Sequence, residues 1–260
     1  MSSYQALVFD IDGTAMPNFL EAVPTERVID TVAAYRDTFH LIAATGRPLR
    51  IARPIIQMLG ITNICAVSGG TILYDPTRDE VLRTTHLAPA AVHAIYKLAR
   101  QYNFEISFRE DLISPEITDL HPSRAENVEI IFIGKLPLSA VAHFGTVLRA
   151  IPGICAEAVH DWSQSGTYAY IITDINATKE HAVAEILAGI GVPTHAAIGI
   201  GDGNNDLHLF RSVGLKVAMG NATPELKAAA DIIAPPVDED GLAHIIERYA
   251  GQPVLSANRN

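Results

Sequence analysis

The sequence predicts an α/β protein, a parallel-sheet domain interrupted by an inserted α+β domain. Three observations carry that reading. From about Tyr4 to Leu82, short apolar runs alternate with helical patterns, the β-α-β-α-β rhythm of a sheet covered by helices. The same rhythm resumes after Lys179. Between the two stretches the order becomes α-β-β, twice over, which fits antiparallel hairpins rather than crossovers.

In the first stretch Ala6–Phe9, Phe39–Ala43 and Ile64–Val67 are strands, short apolar runs of the kind a buried parallel strand needs. Thr25–Asp37 is a helix opened by Pro24-Thr25, and Arg50–Leu59 is a helix closed by Gly60. The middle holds helix Pro89–Tyr102, strands Phe104–Phe108 and Val128–Ile133, helix Leu138–Ala150, and strands Ile154–Val159 and Tyr168–Thr173. The last stretch gives helix His181–Ala188, strand Ala196–Ile200, helix Asp206–Ser212, strand Leu215–Ala218, helix Pro224–Ala230, strand Asp231–Ala234 and helix Leu242–Tyr249. The insert is placed at 83–166, leaving 1–82 and 167–260 as the core. Asp111–Asn127, rich in Pro, Ser and charge, is a long loop of the kind that often binds or covers a ligand.

Composition narrows the function. The chain has 260 residues, is 48% hydrophobic with mean hydropathy +0.19, and carries a formal net charge of −10. Such a charge argues against nucleic acid and anionic membranes as partners, because both need a basic surface. It leaves a small anionic substrate open, since a divalent cation reverses the sign locally. No apolar stretch is long enough to span a bilayer, and Met1–Gln5 has no basic leader, so a cytoplasmic protein is expected. Cys65 and Cys155 stand far apart in apolar surroundings and are read as buried thiols rather than a disulfide.

The chemistry lies where two strands stop. Ala6–Phe9 ends in Asp10-Ile11-Asp12-Gly13-Thr14, and Ala196–Ile200 ends in Gly201-Asp202-Gly203-Asn204-Asn205-Asp206. Strand residues two apart face the same way, so Asp10 and Asp12 repel unless a cation, a proton or a lysine is near. Two carboxylate clusters at the carboxyl ends of strands fit one metal site at the mouth of a parallel sheet. Thr45-Gly46-Arg47 ends another strand, where a hydroxyl and glycine-exposed amides at a helix start form an anion cradle. Lys179, at the start of a helix, offers an ammonium to offset the carboxylates.

Blander readings fail on particular residues. An EF-hand loop needs glycine at its sixth position, which is Ala15 in one cluster and Leu207 in the other. Gly199-x-Gly201-x-Gly203 imitates a dinucleotide fingerprint, but Asp202 would repel a pyrophosphate. The ten histidines show no H-x-x-x-H pair and are read as structural or exposed.

In chain order, Asp10-x-Asp12-Gly13-Thr14, Thr45-Gly46-Arg47, Lys179 and Gly201–Asp206 resemble the four motifs of the haloacid dehalogenase superfamily. More narrowly they resemble its Cof-type (subclass IIB) phosphatases, whose cap is inserted between the second and third motifs. Val217–Ala222, Ala230-Asp231 and Glu239-Asp240-Gly241 are similar to that subfamily as well. Ala15-Met16-Pro17 departs from it, since a leucine commonly follows the threonine. The resemblance implies a Rossmann-like core with a cap and an Mg²⁺-dependent phosphoric monoester hydrolase. In it Asp10 attacks phosphorus to form an aspartyl-phosphate, and Asp12 protonates the leaving oxygen and then activates water. Thr45 and Lys179 complete the catalytic set. Asp10, the Asp12 carbonyl and Asp202 hold Mg²⁺, with Asp206 in the metal site orienting Lys179 or a metal-bound water. Thr45, Gly46, Arg47, Lys179 and Asn205 bind substrate.

The expected partner is a small phosphorylated metabolite, a sugar phosphate first, bound by a monomer or small homo-oligomer. A phosphomutase of the phosphomannomutase type and a non-catalytic Mg²⁺ and phosphate-binding module are the other classes. In the insert, Glu105, Ser107 and Arg109 alternate with apolar residues and share a strand face. With His121, Ser123 and Arg124 of the long loop, they either look at the active site and set selectivity or form a simply solvated face.

Overall fold

The computed structural model describes residues 4–18, 21–110, 122–161 and 164–250. They form two compact units, Met1–Leu82 with Lys179–Asn260, and Arg83–Thr178.

In chain order the first unit begins β1 (Ala6–Phe9), α1 (Glu26–Tyr35), β2 (His40–Ala43), α2 (Leu49–Met58), β3 (Cys65–Val67) and β4 (Ile72–Asp75), and β5 (Glu80–Thr84) starts in it and runs past Leu82. The second unit holds α3 (Pro89–Tyr102), β6 (Glu105–Glu110), β7 (Val128–Leu136), α4 (Leu138–Leu148), β8 (Ile154–His160) and β9 (Tyr168–Asp174). The chain then returns through α5 (Lys179–Gly189), β10 (Ala197–Gly201), α6 (Asp206–Phe210), β11 (Leu215–Ala218), α7 (Pro224–Ala229), β12 (Ile232–Ile233) and α8 (Gly241–Tyr249).

A five-stranded sheet in the order β12-β11-β10-β1-β2 organises the first unit, with every pairing parallel. All four residues of β1 are buried, as a central parallel strand requires. From β1 the chain moves to β2 on one side and returns to β10 on the other, so β1 and β10 flank a switch point. Ligands of such sheets bind beyond the strand carboxyl ends there. The Thr25 hydroxyl caps α1 by accepting from the Val28 N–H at 3.2 Å. Gly60 takes a φ of +66° just past α2 and donates to the Gln57 carbonyl at 3.0 Å, the stop its sequence position indicates.

The β4–β5 hairpin was not anticipated. Its signal is Asp75-Pro76-Thr77-Arg78-Asp79, where Asp75 Oδ1 accepts from the N–H groups of Thr77 and Arg78 at 2.9 and 3.1 Å. Of the two thiols, Cys65 is buried and Cys155 only half-buried. Among the described residues no helix is long and apolar enough to cross a membrane.

In the second unit an antiparallel sheet in the order β6-β7-β9-β8 packs against α3 and α4, the expected α-β-β repeat. Ile106 and Phe108 of β6 enter its core beside Val92 and Ile95 of α3 and Phe144 and Leu148 of α4. The unit ends at Thr178 rather than at Gly166. β9 is hydrogen-bonded to both β7 and β8, so a boundary before it would split a ladder. On the other face of β6, Ser107 is buried and Glu105 pairs with Lys135 at 2.6 Å. The side chains of Arg109, His121, Ser123 and Arg124 lie outside the described residues.

Candidate active site

The site is assembled from four loops of the first unit. Asp10 follows β1 directly, and its N–H continues the ladder to the Ile200 carbonyl of β10 at 3.0 Å. The chain then turns tightly, with the N–H groups of Ala15 and Met16 both meeting the Ile11 carbonyl, at 2.9 and 3.1 Å. Gly13 within this turn has a φ of +65°, and a Cβ placed on it would lie 2.0 Å from Asp202 Oδ2. A side chain here is excluded twice, by backbone handedness and by the carboxylate pressed against the α-carbon.

Asp206 folds the second carboxylate loop. It is fully buried, and its Oδ2 accepts from the N–H groups of Asp202 and Gly203 at 2.9 and 3.0 Å. Its Oδ1 accepts from Lys179 Nζ at 2.6 Å. A Cβ on Gly201 would come within 2.4 Å of the Asp206 carboxyl carbon, which is why glycine precedes the first aspartate. Lys179 is delivered by helical register. With Ala182, Val183 and Ile186 it occupies the buried stripe of α5, whose apolar residues pack on Ala6, Val8 and Ala197 of the sheet. Its Nζ therefore stands 3.1 Å from Asp10 Oδ1 as well.

Asp10, Asp202 and Asp206 each present a carboxylate oxygen, all within 4.8 Å of one another. One ammonium among three carboxylates leaves an excess of negative charge. Burial pushes the Asp10 carboxyl well above its usual range, helped by Asp206, Asp202 and Asp12 and opposed by Lys179. Burial and Asp206 likewise push Asp202 up to about 7. Burial alone would lower the Lys179 value, but Asp10 and Asp206 outweigh it and hold the ammonium charged. Asp10 Oδ1 is buried, with the Lys179 ammonium at 3.1 Å. An all-oxygen donor set with surplus negative charge fits a hard divalent cation.

This charge crowding makes the metal-free protein pH-sensitive. The folded state holds protons on Asp10 and Asp202 more tightly than the unfolded chain does, whose carboxyls titrate near about 3.9. The contribution of these two carboxyls to stability is therefore greatest at low pH and is lost as pH rises between that value and about 7. Thermal melts in chelator at constant ionic strength are expected to give a higher Tm at pH 5.5 than at pH 7.5. An equal or higher Tm at pH 7.5 contradicts the crowding.

Thr45 and Arg47 follow β2, the strand that pairs in parallel with β1. Thr45 is buried, and its hydroxyl accepts from the Arg47 N–H at 3.1 Å. The Arg47 guanidinium, expected to bind substrate, grips Asp12 in two-pronged fashion, through Nε to Oδ2 at 2.7 Å and through Nη2 to Oδ1. That hydrogen-bonded carboxylate holds Arg47 more firmly charged. The Asp12 side chain is thus turned to Arg47, while Asp10, Asp202 and Asp206 form the carboxylate cluster. Asn205 is half-buried, and its Nδ2 lies 4.0 Å from where a Gly46 Cβ would stand, so the second and fourth motif loops adjoin.

One residue absent from the expected set belongs here. Asn221 Nδ2 donates to the Gly13 carbonyl at 2.8 Å and reaches Asp202 Oδ2 at 3.4 Å. The signal was available, since Asn221 lies in the loop just after β11 as the two aspartate clusters lie just after β1 and β10.

The fold and site define a parallel-sheet enzyme whose acidic groups and lysine meet beyond the strand carboxyl ends. The chain belongs to the haloacid dehalogenase-like hydrolases, whose family model matches residues 7–132 and 126–246. It is 26% identical over 251 residues to the Bacillus subtilis protein YkrA, named provisionally as a phosphatase, covering 93% of this chain and 96% of that one. It is 23% identical to the phosphoglycolate phosphatase of Methanothermobacter thermautotrophicus, covering 95% and 99%. The structure of the subclass IIB sugar phosphatase BT4131 superposes with a TM-score of 0.76 at 22% identity, over 94% of this chain and 98% of that one.

Proposed function

We propose that this chain is a Mg²⁺-dependent phosphatase of a small phosphorylated metabolite, a sugar phosphate first, working through an aspartyl-phosphate on Asp10. The observation that carries the reading is the buried Asp10 carboxylate set between Lys179 and the Asp202–Asp206 loop. Relatives named as phosphatases across nearly the whole chain support the reaction class.

A phosphate monoester is anionic and repels a carboxylate, so positioned positive charge must come first. Lys179 supplies part of it 3.1 Å from Asp10. Mg²⁺ held by Asp10, Asp202 and the Asp12 carbonyl would supply the rest by drawing charge from the phosphoryl oxygens. Thr45, the Gly46 amide and Asn205 bind the phosphoryl group. An Asp10 oxygen then attacks phosphorus as the bond to the leaving oxygen breaks, and that oxygen takes a proton from Asp12. In the second half Asp12 accepts a proton from water, whose oxygen attacks phosphorus and frees Asp10 and phosphate. Asp12 cannot serve while Arg47 grips both its oxygens, so substrate binding has to loosen that pair. Asp206 acts through others, holding Lys179 and the Asp202 loop. The inserted unit is the proposed source of substrate selectivity.

Incubating the protein and Mg²⁺ with a panel of phosphorylated metabolites, and scoring free phosphate, tests the reading. Release from at least one sugar phosphate is expected. Phosphate moved between sugar positions without release assigns a phosphomutase, and no turnover of any member contradicts the phosphatase.

A further inference from the structure

We propose that Asn221 is a positioning residue for Asp202, a side-chain strap that sets the carboxylate for the cation. The inference rests on the metal reading above and extends it to a residue in none of the four motifs. Asn221 joins three segments through one amide. Its Nδ2 donates to the Gly13 carbonyl at 2.8 Å and to Asp202 Oδ2 at 3.4 Å, and its Oδ1 accepts from the Val237 N–H at 2.9 Å. The loop that carries it also grips Asp202 by the backbone, since the Asp202 carbonyl accepts from the Thr223 N–H at 2.9 Å. The Met219 N–H holds the preceding Gly201 carbonyl at 2.9 Å.

Geometry explains why Asp202 needs a strap. Oδ2 lies so close to the α-carbon of Gly13 that a methyl there would sit 2.0 Å away. Asp206, the nearest negative neighbour, grips only the backbone of this loop and repels the carboxylate itself. The Asn221 amide is a side-chain donor to that carboxylate. It engages Oδ2 and leaves Oδ1 to a cation, and the Val237 bond fixes which end of the amide faces inward. Residues that orient a metal ligand in this way are worth about 10–100-fold in metal affinity.

The test is Mg²⁺ binding by calorimetry, alongside apo thermal melts, on the native protein, Asn221→Ala and Lys227→Ala. Lys227 Nζ bonds the Gly220 carbonyl at 2.5 Å in the same loop without touching Asp202, so its removal is the control for loop stability alone. Asn221→Ala is expected to weaken Mg²⁺ binding by at least about tenfold, and Lys227→Ala to leave it within a factor of two. In the native protein, the Asn221 side-chain amide resonances are expected to shift with the calorimetric Kd, a readout that needs no variant to fold. Native Mg²⁺ affinity retained in Asn221→Ala, or amide signals unmoved by saturating Mg²⁺, overturns the inference alone. A native protein that binds no Mg²⁺ overturns the metal reading beneath it.

Discussion

Asp10→Asn is expected to abolish phosphatase turnover, by at least about 10⁴-fold in kcat, while leaving the fold intact. The amide keeps the carboxylate's shape but cannot attack phosphorus. Stability should not suffer. Asp10 is a buried carboxyl whose charge is disfavoured by burial and by Asp206, Asp202 and Asp12, so a neutral isostere removes more repulsion than attraction. The Tm without Mg²⁺ is therefore expected to equal or exceed that of the native protein. Steady-state kinetics and a thermal melt on one preparation check both halves. Turnover near the native level removes Asp10 from the nucleophile's role, and a collapsed Tm makes the loss of activity uninformative about chemistry.

Lys179→Ala is expected to do the opposite to stability. Lys179 is 2% exposed and is the cation shared by Asp10 and Asp206, at 3.1 and 2.6 Å. Removing one partner of a buried ion pair leaves an uncompensated charge, which costs about 3–5 kcal/mol. The loss should be largest at neutral pH. It should shrink toward pH 5, because Asp10 binds its proton more tightly than an exposed carboxyl and becomes neutral without its partner. Denaturant unfolding at both pH values measures this. Equal losses at the two pH values, or a loss under about 1 kcal/mol at neutral pH, contradict a charge-balancing role for Lys179.

The core strands were legible because parallel strands buried on both faces must be apolar throughout. Ala6–Phe9, apolar and buried at every position, agrees with the structure residue for residue, and so does Leu215–Ala218, whose single break in the apolar run is the half-buried Lys216. The carboxylate clusters were legible for the converse reason, since acids directly after such strands have no stabilising purpose. Lys179 could be placed at a helix start, but its reach to two aspartates depends on how α5 lies on the sheet, which local pattern does not encode. The grip of Arg47 on Asp12 was not legible either, because the residues stand 35 apart and the same arginine suits a substrate phosphate equally well. The role of Asn221 was not legible, because its bond to Gly13 spans 208 residues. The β4–β5 hairpin was missed because Ile72–Asp75 is too short to show a period, although its Asx turn was readable. β9 was recognised as a strand and assigned to the wrong side of the domain boundary, since its partners β7 and β8 are fixed only by the sheet.

The central claim is that Asp10 accepts the phosphoryl group, with Mg²⁺ and Lys179 balancing the charge. Fluorine NMR of the native protein with beryllofluoride and Mg²⁺ tests it most directly, because that anion mimics a phosphoryl group bonded to an aspartate oxygen. Bound fluorine resonances are predicted in the native protein, absent when Mg²⁺ is chelated and absent in Asp10→Asn at any Mg²⁺ concentration. Bound resonances that persist in Asp10→Asn would place the acceptor elsewhere and contradict the account.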